Sequence, residues 1–571
     1  MDGSTEEWGQ MNPNRGLTPM VRYALRYHPV SQSSLLVFAF NTRAAAMESN
    51  TEMETKSTTI CHEVAEDKMQ MGTRMRNIRR RRIVMFSLCL ALFLSALDIT
   101  IVGTALPTIA RHLGASTAEY AWIGSCYTLA NTSSIAIWAK LSDIFGRKPI
   151  IMLSNATFLA GSLISGLANS VSVLIGGRIV QGLGAGGCTI LVTIVISDLF
   201  ALRDRAKYYG ITGIVYAISS SLGPVLGGVF TQTIGWRWCF FINLPFDGVS
   251  LIVLLYALEI HNPKTPLVVG LKSLDWIGSI LIVGGTICFL YGLESGAGGQ
   301  QAWNSVQVIA LLVSGAVLLL LFGVYEHWFA RYPLVPTRIF SRRTNVASFL
   351  VLCLHGFVFI SYDYFLPLYF QTALHLTPII SGVSLFALVL PLSAATMGAG
   401  WYVKKSRDYL LPTWIGAVLM TTGTGLFIDF GAHTNWVKII LFQMVAGLGA
   451  GPLFQAPMIA FQSHLAQKDI AAASSASSFL RSLSSSMSIV IGSVLLQKRL
   501  ARGQLTSDKG SAAISPSEYV SAMRLMWTFF TAISALIVII SLLIEKMPDP
   551  ESQSESTGQE PAMSAHRAEE S

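Results

Sequence analysis

Three ionisable residues, Asp98, Arg178 and Asp363, lie inside long apolar runs of the sequence. A charge in such surroundings costs roughly 2.5 to 3.5 kcal/mol on membrane-insertion scales unless it is paired, hydrated or neutralised. A carboxylate that takes up a proton removes this cost, so Asp98 is a candidate for reversible proton binding. The alternative interpretation is that Asp98 is a structural polar residue turned toward neighbouring helices.

Asp98 and Arg178 are predicted to meet. Gln181 follows Arg178 by three residues, which puts both side chains on one face of a helix. The helix of Asp98 should run outward and that of Arg178 inward, so the two residues would lie at a similar depth. Arg178 and Gln181 are therefore candidate substrate-cavity residues, and a substrate that separated Asp98 from Arg178 would change the proton affinity of the carboxylate.

The second carboxylate, Asp363, stands 265 residues after Asp98. His355 precedes it by about two helical turns, and Tyr364 follows it directly. We predict either a second proton site or cation-substrate site facing a cavity, with His355 and Tyr364 beside it, or a hydrogen-bonding residue of the pore. Arg481 is interpreted as a gate, as a lipid-facing residue that reaches the membrane surface, or as a ligand.

Membrane-spanning helices must position these residues. The chain of 571 residues is 52% hydrophobic and only 13% charged, whereas soluble domains are about 25% charged. Its apolar residues fall into blocks of about twenty, the length that an α-helix needs to cross about 30 Å of hydrocarbon. We therefore predict an all-α membrane protein with fourteen spans. The predicted spans are 83–107, 119–139, 149–168, 172–199, 208–230, 238–258, 275–293, 305–327, 345–371, 378–402, 409–429, 435–461, 473–496 and 526–544.

Basic residues fall in every second loop between these spans. They are Arg79 to Arg82, Arg147 with Lys148, Arg203 with Arg205, Lys264 with Lys272, Arg338 with Arg342 and Arg343, and Lys404 with Lys405. Because cytoplasmic loops carry the excess of positive charge, both termini are predicted to be cytoplasmic. The loop after the thirteenth span conflicts with this topology, since Lys498, Arg499, Arg502, Lys509 and Arg524 would face outside.

An internal repeat divides the chain. Residues 178–187 match 443–452, and 219–227 match 484–492, both at an offset of 265. This offset predicts two parallel six-helix halves with two helices inserted between them. The predicted organisation is a polar tail at 1–82, halves at 83–258 and 345–545, inserted helices and linkers at 259–344, and a tail at 546–571. Because a Ser/Thr/Glu-rich stretch begins at Met47, we hypothesise that 1–46 precede the true start.

Several motifs resemble those of the major facilitator superfamily. The sequence Leu141-Ser-Asp143-Ile-Phe-Gly146-Arg147-Lys148 is similar to its loop signature between the second and third spans, with Ala139 where glycine is expected. The resemblance implies that Asp143, Gly146, Arg147 and Lys148 form a cytoplasmic gating latch, with Asp143 against the start of the thirteenth span near 471–475. An ordinary positively charged turn is the alternative.

Within the superfamily, residues 97–107 and the run Trp236-Arg-Trp-Cys-Phe-Phe-Ile-Asn-Leu-Pro245 resemble the fourteen-span drug:proton antiporters. Gly223, Pro224, Gly227 and Gly228 resemble the motif that marks exporters, and are predicted to allow close helix contact. The runs at 236–245, 333–340 and 364–371 look like those of fungal members that export toxins, drugs or secondary metabolites. The resemblance implies the major facilitator fold and proton exchange.

No other chemistry is indicated by the sequence. It contains no GxxxxGK[ST] phosphate loop, and six of its seven cysteines lie at or within spans without paired spacing, so no enzyme activity, cofactor or metal is predicted. The alternating positions of the basic residues favour a topology signal over nucleic-acid binding.

We predict a monomeric, proton-coupled exporter of small organic compounds in the plasma membrane, with the vacuolar membrane as an alternative location. The rival functions are a fourteen-span importer of siderophores or amino acids and a non-transporting membrane receptor. The exporter-type glycines argue against the importer, and the buried charges argue against the receptor.

Overall fold

The computed structural model describes residues 79–259, 265–297, 301–331, 333–506 and 516–546. Regular structure in these ranges is helical throughout. Almost all of both predicted tails, and with them the hypothesis about 1–46, lies outside the described residues.

Fourteen long helices occur in the described ranges, as the sequence predicts. Thirteen are long and apolar enough to cross a membrane, and the other, Thr117–Phe145, has 29 residues. In chain order they are α1 Arg79–Leu113, α2 Thr117–Phe145, α3 Arg147–Gly166, α4 Val171–Leu199, α5 Leu202–Thr233, α6 Trp238–Ala257, α7 Trp276–Ala297, α8 Val306–Trp328, α9 Arg343–Thr372, α10 Ile379–Ser406, α11 Leu410–Leu426, α12 Trp436–Ser463, α13 Gln467–Thr506 and α14 Pro516–Ser541. A short helix, Leu267–Lys272, lies between α6 and α7, and a 3-10 turn, Thr337–Phe340, precedes α9.

Local sequence signals fix several of the helix ends. Ser116 and Glu119 form a reciprocal capping box at the start of α2, and Ser170 caps α4. Gly146 joins α2 to α3 with φ of 97°, a left-handed conformation that favours glycine. Helix α13 continues to Thr506 beyond the predicted end at 496, so Lys498 and Arg499 belong to a helix rather than to the loop proposed from the sequence.

The repeat extends to the packing of the two halves. Helix α4 packs on α2 and α3, and α12 packs in the same way on α10 and α11. A Cβ added to Gly186 would lie 2.6 Å from the backbone oxygen of Asn131, and one added to Gly451 would lie 2.9 Å from the backbone nitrogen of Thr396. Gly451 follows Gly186 by 265 residues, and Thr396 follows Asn131 by the same number. The two six-helix halves therefore use the same close contact.

The halves meet through α5 with α10 and α2 with α13. The inserted helices α7 and α8 pack on each other, and α7 also packs on α2 and α13. At the end of the bundle where α1 begins, one apolar cluster joins Leu88 and Ile194 of the first half to Phe461 and Phe479 of the second. Burial of this cluster closes that end of the bundle.

Candidate functional site

A cavity of about 730 Å³ lies between the halves. Its wall combines α1, α2, α4 and α5 with α9, α12 and α13, and the inserted helix α7 contributes Glu294. Arg178 and Tyr364, two of the four predicted cavity residues, lie in this wall. The cavity therefore draws on both repeats and on the insertion between them, which is where a ligand can sense movement of one half against the other.

The predicted pair of Asp98 and Arg178 is present directly behind the cavity wall. The guanidinium donates to the carboxylate, and the two side chains are at most 1% exposed. Arg178 also donates to Gln181 Oε1 at 2.9 Å, and Gln181 Nε2 donates to Asp98 Oδ1 at 2.8 Å. The guanidinium carbon lies 4.3 Å from the ring centre of Tyr127, which lines the cavity. Both charges are thus compensated where they are shielded from water.

Asn243 completes this network, and sequence analysis missed it as a site residue. Its Nδ2 lies 3.2 Å from both Asp98 Oδ1 and Ser162 Oγ. The available signal was a lone amide within an apolar span, next to the aromatic run at 236–241. Asn243 joins α6 to α1, so movement of α6 changes the surroundings of the carboxylate.

Asp363 lacks the ion pair with an arginine that Asp98 forms within the described ranges. The residue that corresponds to Arg178 in the second half is Gln443, whose Nε2 donates to the carbonyl of Ile439 at 2.9 Å. Asp363 accepts from the Ser220 hydroxyl of α5, while its Oδ2 has no hydrogen-bond partner among the described residues. The repeat therefore preserves the position of the carboxylate but not its ion pair.

Two predicted cavity residues, His355 and Gln181, lie behind the wall of the described cavity rather than in it. Gln181 is occupied by Asp98, Arg178 and Ser162. His355 is fully buried, with its ring 4.7 Å from that of Phe454. Helix α9 lines the cavity through Leu352, Gly356, Phe359, Ile360 and Tyr364. This spacing follows the helical period, so His355, one residue before Gly356, is rotated about 100° away.

The predicted latch residues lie together at the closed end, where their polar side chains make several contacts. Arg147 donates to Asp143, to Ser142 Oγ at 2.8 Å and to Asp198 Oδ2 at 2.9 Å. Lys148 donates to the carbonyl of Leu255 at 2.6 Å. These contacts tie the junction of α2 and α3 at Gly146 to α4 and α6. The predicted contact of Asp143 with 471–475 stays a prediction.

Other polar contacts at this end cross between the halves. Lys404 of α10 lies 2.7 Å from Asp204 of α5, and Arg205 Nη1 lies 3.3 Å from Gln462 Oε1 of α12. These bonds join α5 to the second half beside the apolar cluster.

The glycines of α5 face α1. A Cβ on Gly223 would collide with the Thr100 side chain, and one on Gly227 would collide with the Thr104 hydroxyl and the carbonyl of Ile101. Pro224 lies inside the same helix, and Gly228 is buried. The absence of side chains at Gly223 and Gly227 lets α5 approach the segment of α1 that follows Asp98.

Comparison with known families identifies the chain. The family model of the Major Facilitator Superfamily matches residues 88–489. The chain belongs to the major facilitator superfamily. Arg178, Gln181 and the latch residues all lie within the matched range of this superfamily member.

Curated superfamily relatives cover most of the chain. It is 43% identical to the efflux pump dotC of Dothistroma septosporum over 81% of this chain and 84% of that protein. It is 40% identical to the MFS-type transporter ppz2 of Metarhizium majus over 81% and 85% of the two chains. The efflux pump FUS6 of Gibberella moniliformis is 35% identical over 73% and 74%.

A solved superfamily structure shares the fold. The human organic anion transporter MFSD10 (TETRAN) has a TM-score of 0.52 at 13% identity and covers 81% of this chain and 99% of that one. At this identity the likeness concerns the fold alone, and it agrees with the major facilitator fold predicted from the sequence.

One buried carboxylate of this major facilitator protein was not singled out by sequence analysis. Asp247 lies in α6 one turn after Asn243, is 1% exposed, and has no hydrogen-bond partner on either carboxylate oxygen among the described residues. An ionised group so placed would cost several kcal/mol, so the site suits the neutral acid. Its sequence context of Pro-Phe-Asp-Gly resembles a turn, which concealed its burial.

Proposed function

We propose that this protein is a proton-coupled exporter of small, largely apolar organic compounds by alternating access. The observation that carries the proposal is the Asp98–Arg178 pair, which places a protonatable carboxylate directly behind a guanidinium in the wall of the shared cavity. The efflux pumps among the relatives support the outward direction. No cofactor or metal takes part in this proposal.

The Asp98–Arg178 pair can transmit the protonation of Asp98 to the cavity, because Arg178 lies in the cavity wall. Protonation of Asp98 removes the negative charge that holds Arg178, so the guanidinium becomes available to a substrate or to a different conformation. Loss of the proton restores the pair. Because Gln181 and Asn243 also bond to Asp98, the same event loosens the junction of α1, α4 and α6.

The described conformation fits an exporter that has closed its cytoplasmic side. The positive-inside pattern assigns the end at which α1 begins to the cytoplasm. That end holds the apolar cluster and the contacts of Lys404 and Arg205 between the halves. We infer that Asp143, Gly146, Arg147 and Lys148 stabilise this closed state, and that release of substrate takes place on the opposite side.

The chain is a multi-pass membrane protein. We propose that it acts as a monomer in the plasma membrane with both termini cytoplasmic, and that its domains have the boundaries predicted from the sequence. Asp363 is proposed as an auxiliary proton site, because it is buried beside Ser220 yet lacks the arginine that accompanies Asp98.

Proton flux in liposomes tests the function directly. The purified full chain would be reconstituted with a pH-sensitive dye inside, and candidate compounds added on one side. An antiporter moves protons against the compound, whereas a proton-driven importer moves both in the same direction. A receptor moves neither, and absence of coupled flux across a panel of apolar compounds would refute the exporter.

The latch gives a first mutational prediction. Arg147→Gln should slow transport about tenfold, because it removes the bonds to Asp143, Ser142 and Asp198 together. Asp143→Asn should slow transport only a few-fold, since Asp198 still holds Arg147. Initial transport rates at equal amounts of membrane-inserted protein measure both effects.

The matched control is Lys438→Gln. Lys438 pairs with Asp429 at 2.5 Å, but both side chains are largely exposed. Exposed pairs contribute little, so the rate should stay unchanged. Equal rates for Arg147→Gln and Lys438→Gln would exclude a latch.

A further inference from the structure

Arg481 is the second arginine in the wall of the central cavity. It lies in α13, and its guanidinium carbon is 4.5 Å from the ring centre of Phe454, which also lines the cavity. Arg178 has Asp98 as its ion-pair partner, whereas no carboxylate of the described ranges lies within 4 Å of Arg481. Asp363 interacts with Arg481 only at longer range, through its charge. The cavity wall therefore contains one guanidinium in a direct ion pair and one that has no carboxylate in contact with it.

A glycine on the neighbouring helix leaves space for the Arg481 side chain. Gly356 of α9 faces it, and a Cβ there would lie 2.6 Å from Arg481 Cγ. The carbonyl of Gly356 accepts from Ser485 Oγ at 3.2 Å, which joins α9 to α13 beside the arginine. In the first half the corresponding residues are Ala91 and Tyr216. The glycine and the arginine thus occur together in the second half, and the arginine is directed into the cavity rather than toward lipid, which excludes one of the interpretations made from the sequence.

Hydroxyl groups flank the guanidinium on the same side of α13. The serines of this helix that line the cavity are Ser477, Ser478, Ser482, Ser485, Ser486 and Ser493. Ser478 precedes Arg481 by three residues, which places the two on one helix face. Its hydroxyl has no hydrogen bond to the described residues, so it can donate to a ligand held by the guanidinium.

Charge and shape together indicate the ligand. A guanidinium in a cavity walled by protein binds anionic oxygen strongly, because the hydrogen bond is assisted by charge. The rings of Phe359, Phe454 and Tyr216 line the cavity around it and offer surfaces for a flat conjugated body. The cavity wall also contains one carboxylate, that of Glu294 on the inserted helix α7.

We propose that Arg481 and Ser478 form an anion-binding subsite, and that the exported compounds are amphipathic organic acids with a carboxylate or an ionised phenol on a conjugated ring system. The inference rests on the proposed exporter function and specifies its substrate class. Arg481 touches the acidic group, and the aromatic residues touch the ring body.

Two dyes that share a xanthene core test the subsite: fluorescein, which is anionic near neutral pH, and rhodamine 123, which is cationic. Fluorescence anisotropy with the purified full chain in detergent would measure the binding of each. The wild-type protein should bind fluorescein at least tenfold more tightly than rhodamine 123. Arg481→Gln should weaken fluorescein binding about tenfold or more and leave rhodamine 123 within about twofold. Arg481→Lys, which keeps the charge, should retain most of the preference.

Arg237→Gln is the matched control, since Arg237 donates to Ala168 and Asn169 outside the cavity. It should leave both affinities unchanged. Equal binding of the two dyes by the wild-type protein would overturn the subsite without any variant, as would unchanged fluorescein binding in a folded Arg481→Gln protein. Transport in liposomes is measured in a separate experiment from dye binding. Preferential fluorescein binding without pH-driven flux would refute the exporter and leave the subsite standing.

Discussion

Replacement of Asp98 by asparagine should abolish uphill, pH-driven transport while substrate binding persists. The amide mimics the protonated acid and cannot release a proton, so the variant is held in one charge state. Arg178, not Asp98, lies in the cavity wall, which is why binding should survive. One charge crossing the membrane supplies about 2.3 kcal/mol per 100 mV, so loss of coupling removes more than tenfold accumulation.

The same substitution has a structural cost that must be separated from the loss of coupling. Removing one partner of a buried ion pair typically costs about 3 to 5 kcal/mol, because the other charge stays buried and unpaired. Arg178 would retain Gln181 as a partner but lose its counter-charge. The double variant Asp98→Asn/Arg178→Gln removes both charges and should recover thermal stability without recovering coupling.

Proteoliposomes with an imposed pH gradient measure the coupling, and substrate exchange without a gradient measures the remaining transport. Asp247→Asn is the matched control, since Asp247 is equally buried in the first half but forms no ion pair with a described residue. It should keep uphill transport. If Asp98→Asn keeps full uphill transport, the role must pass to Asp363, and the same assay on Asp363→Asn would decide that.

The pair at Asp98 was predictable because it depends on features that a sequence displays. Charged residues in apolar runs are rare, helix direction alternates from span to span, and a spacing of three places Arg178 and Gln181 on one face. The repeat was equally visible, since the glycine-rich segments of α4 and α12 have similar sequences. In the structure, their glycines also pack against corresponding residues of the two halves. Composition and repeat thus define the helices and which of them correspond.

The direction of a side chain within a helix was less predictable. His355 and Gly356 are neighbours in sequence, yet one lies behind the wall and the other in it. Helix α9 is apolar on most sides, so its pattern does not reveal its rotation. Arg481 was ambiguous for the same reason, and the burial of Asp247 was concealed by its turn-like sequence context.

Gly227→Ala should reduce transport about tenfold or more, the second large effect that we expect. The added methyl group would collide with the carbonyl of Ile101 and the hydroxyl of Thr104. Overpacking of this kind typically costs about 1 to 3 kcal/mol. Helix α1 must then move away from α5, and Asp98 lies one turn before Ile101. The displacement would therefore reach the Asp98–Arg178 pair.

Transport per amount of inserted protein and thermal stability would be measured together. Gly248→Ala is the control, because a Cβ at Gly248 meets nothing within 4 Å, and it should leave both quantities unchanged. The same transport in Gly227→Ala as in Gly248→Ala would mean that close contact between α1 and α5 is not needed.

The partners of the two glycines of α5 predict different outcomes for second-site changes. A Cβ on Gly223 meets mainly the Thr100 side chain, with the nitrogen of Ile101 at 2.9 Å, so Thr100→Ala should partly restore a Gly223→Ala protein. A Cβ on Gly227 also meets the backbone carbonyl of Ile101, which no substitution removes. Thr104→Ala should therefore fail to restore Gly227→Ala, and full recovery in that double variant would show that α5 does not approach the backbone of α1 as closely as described.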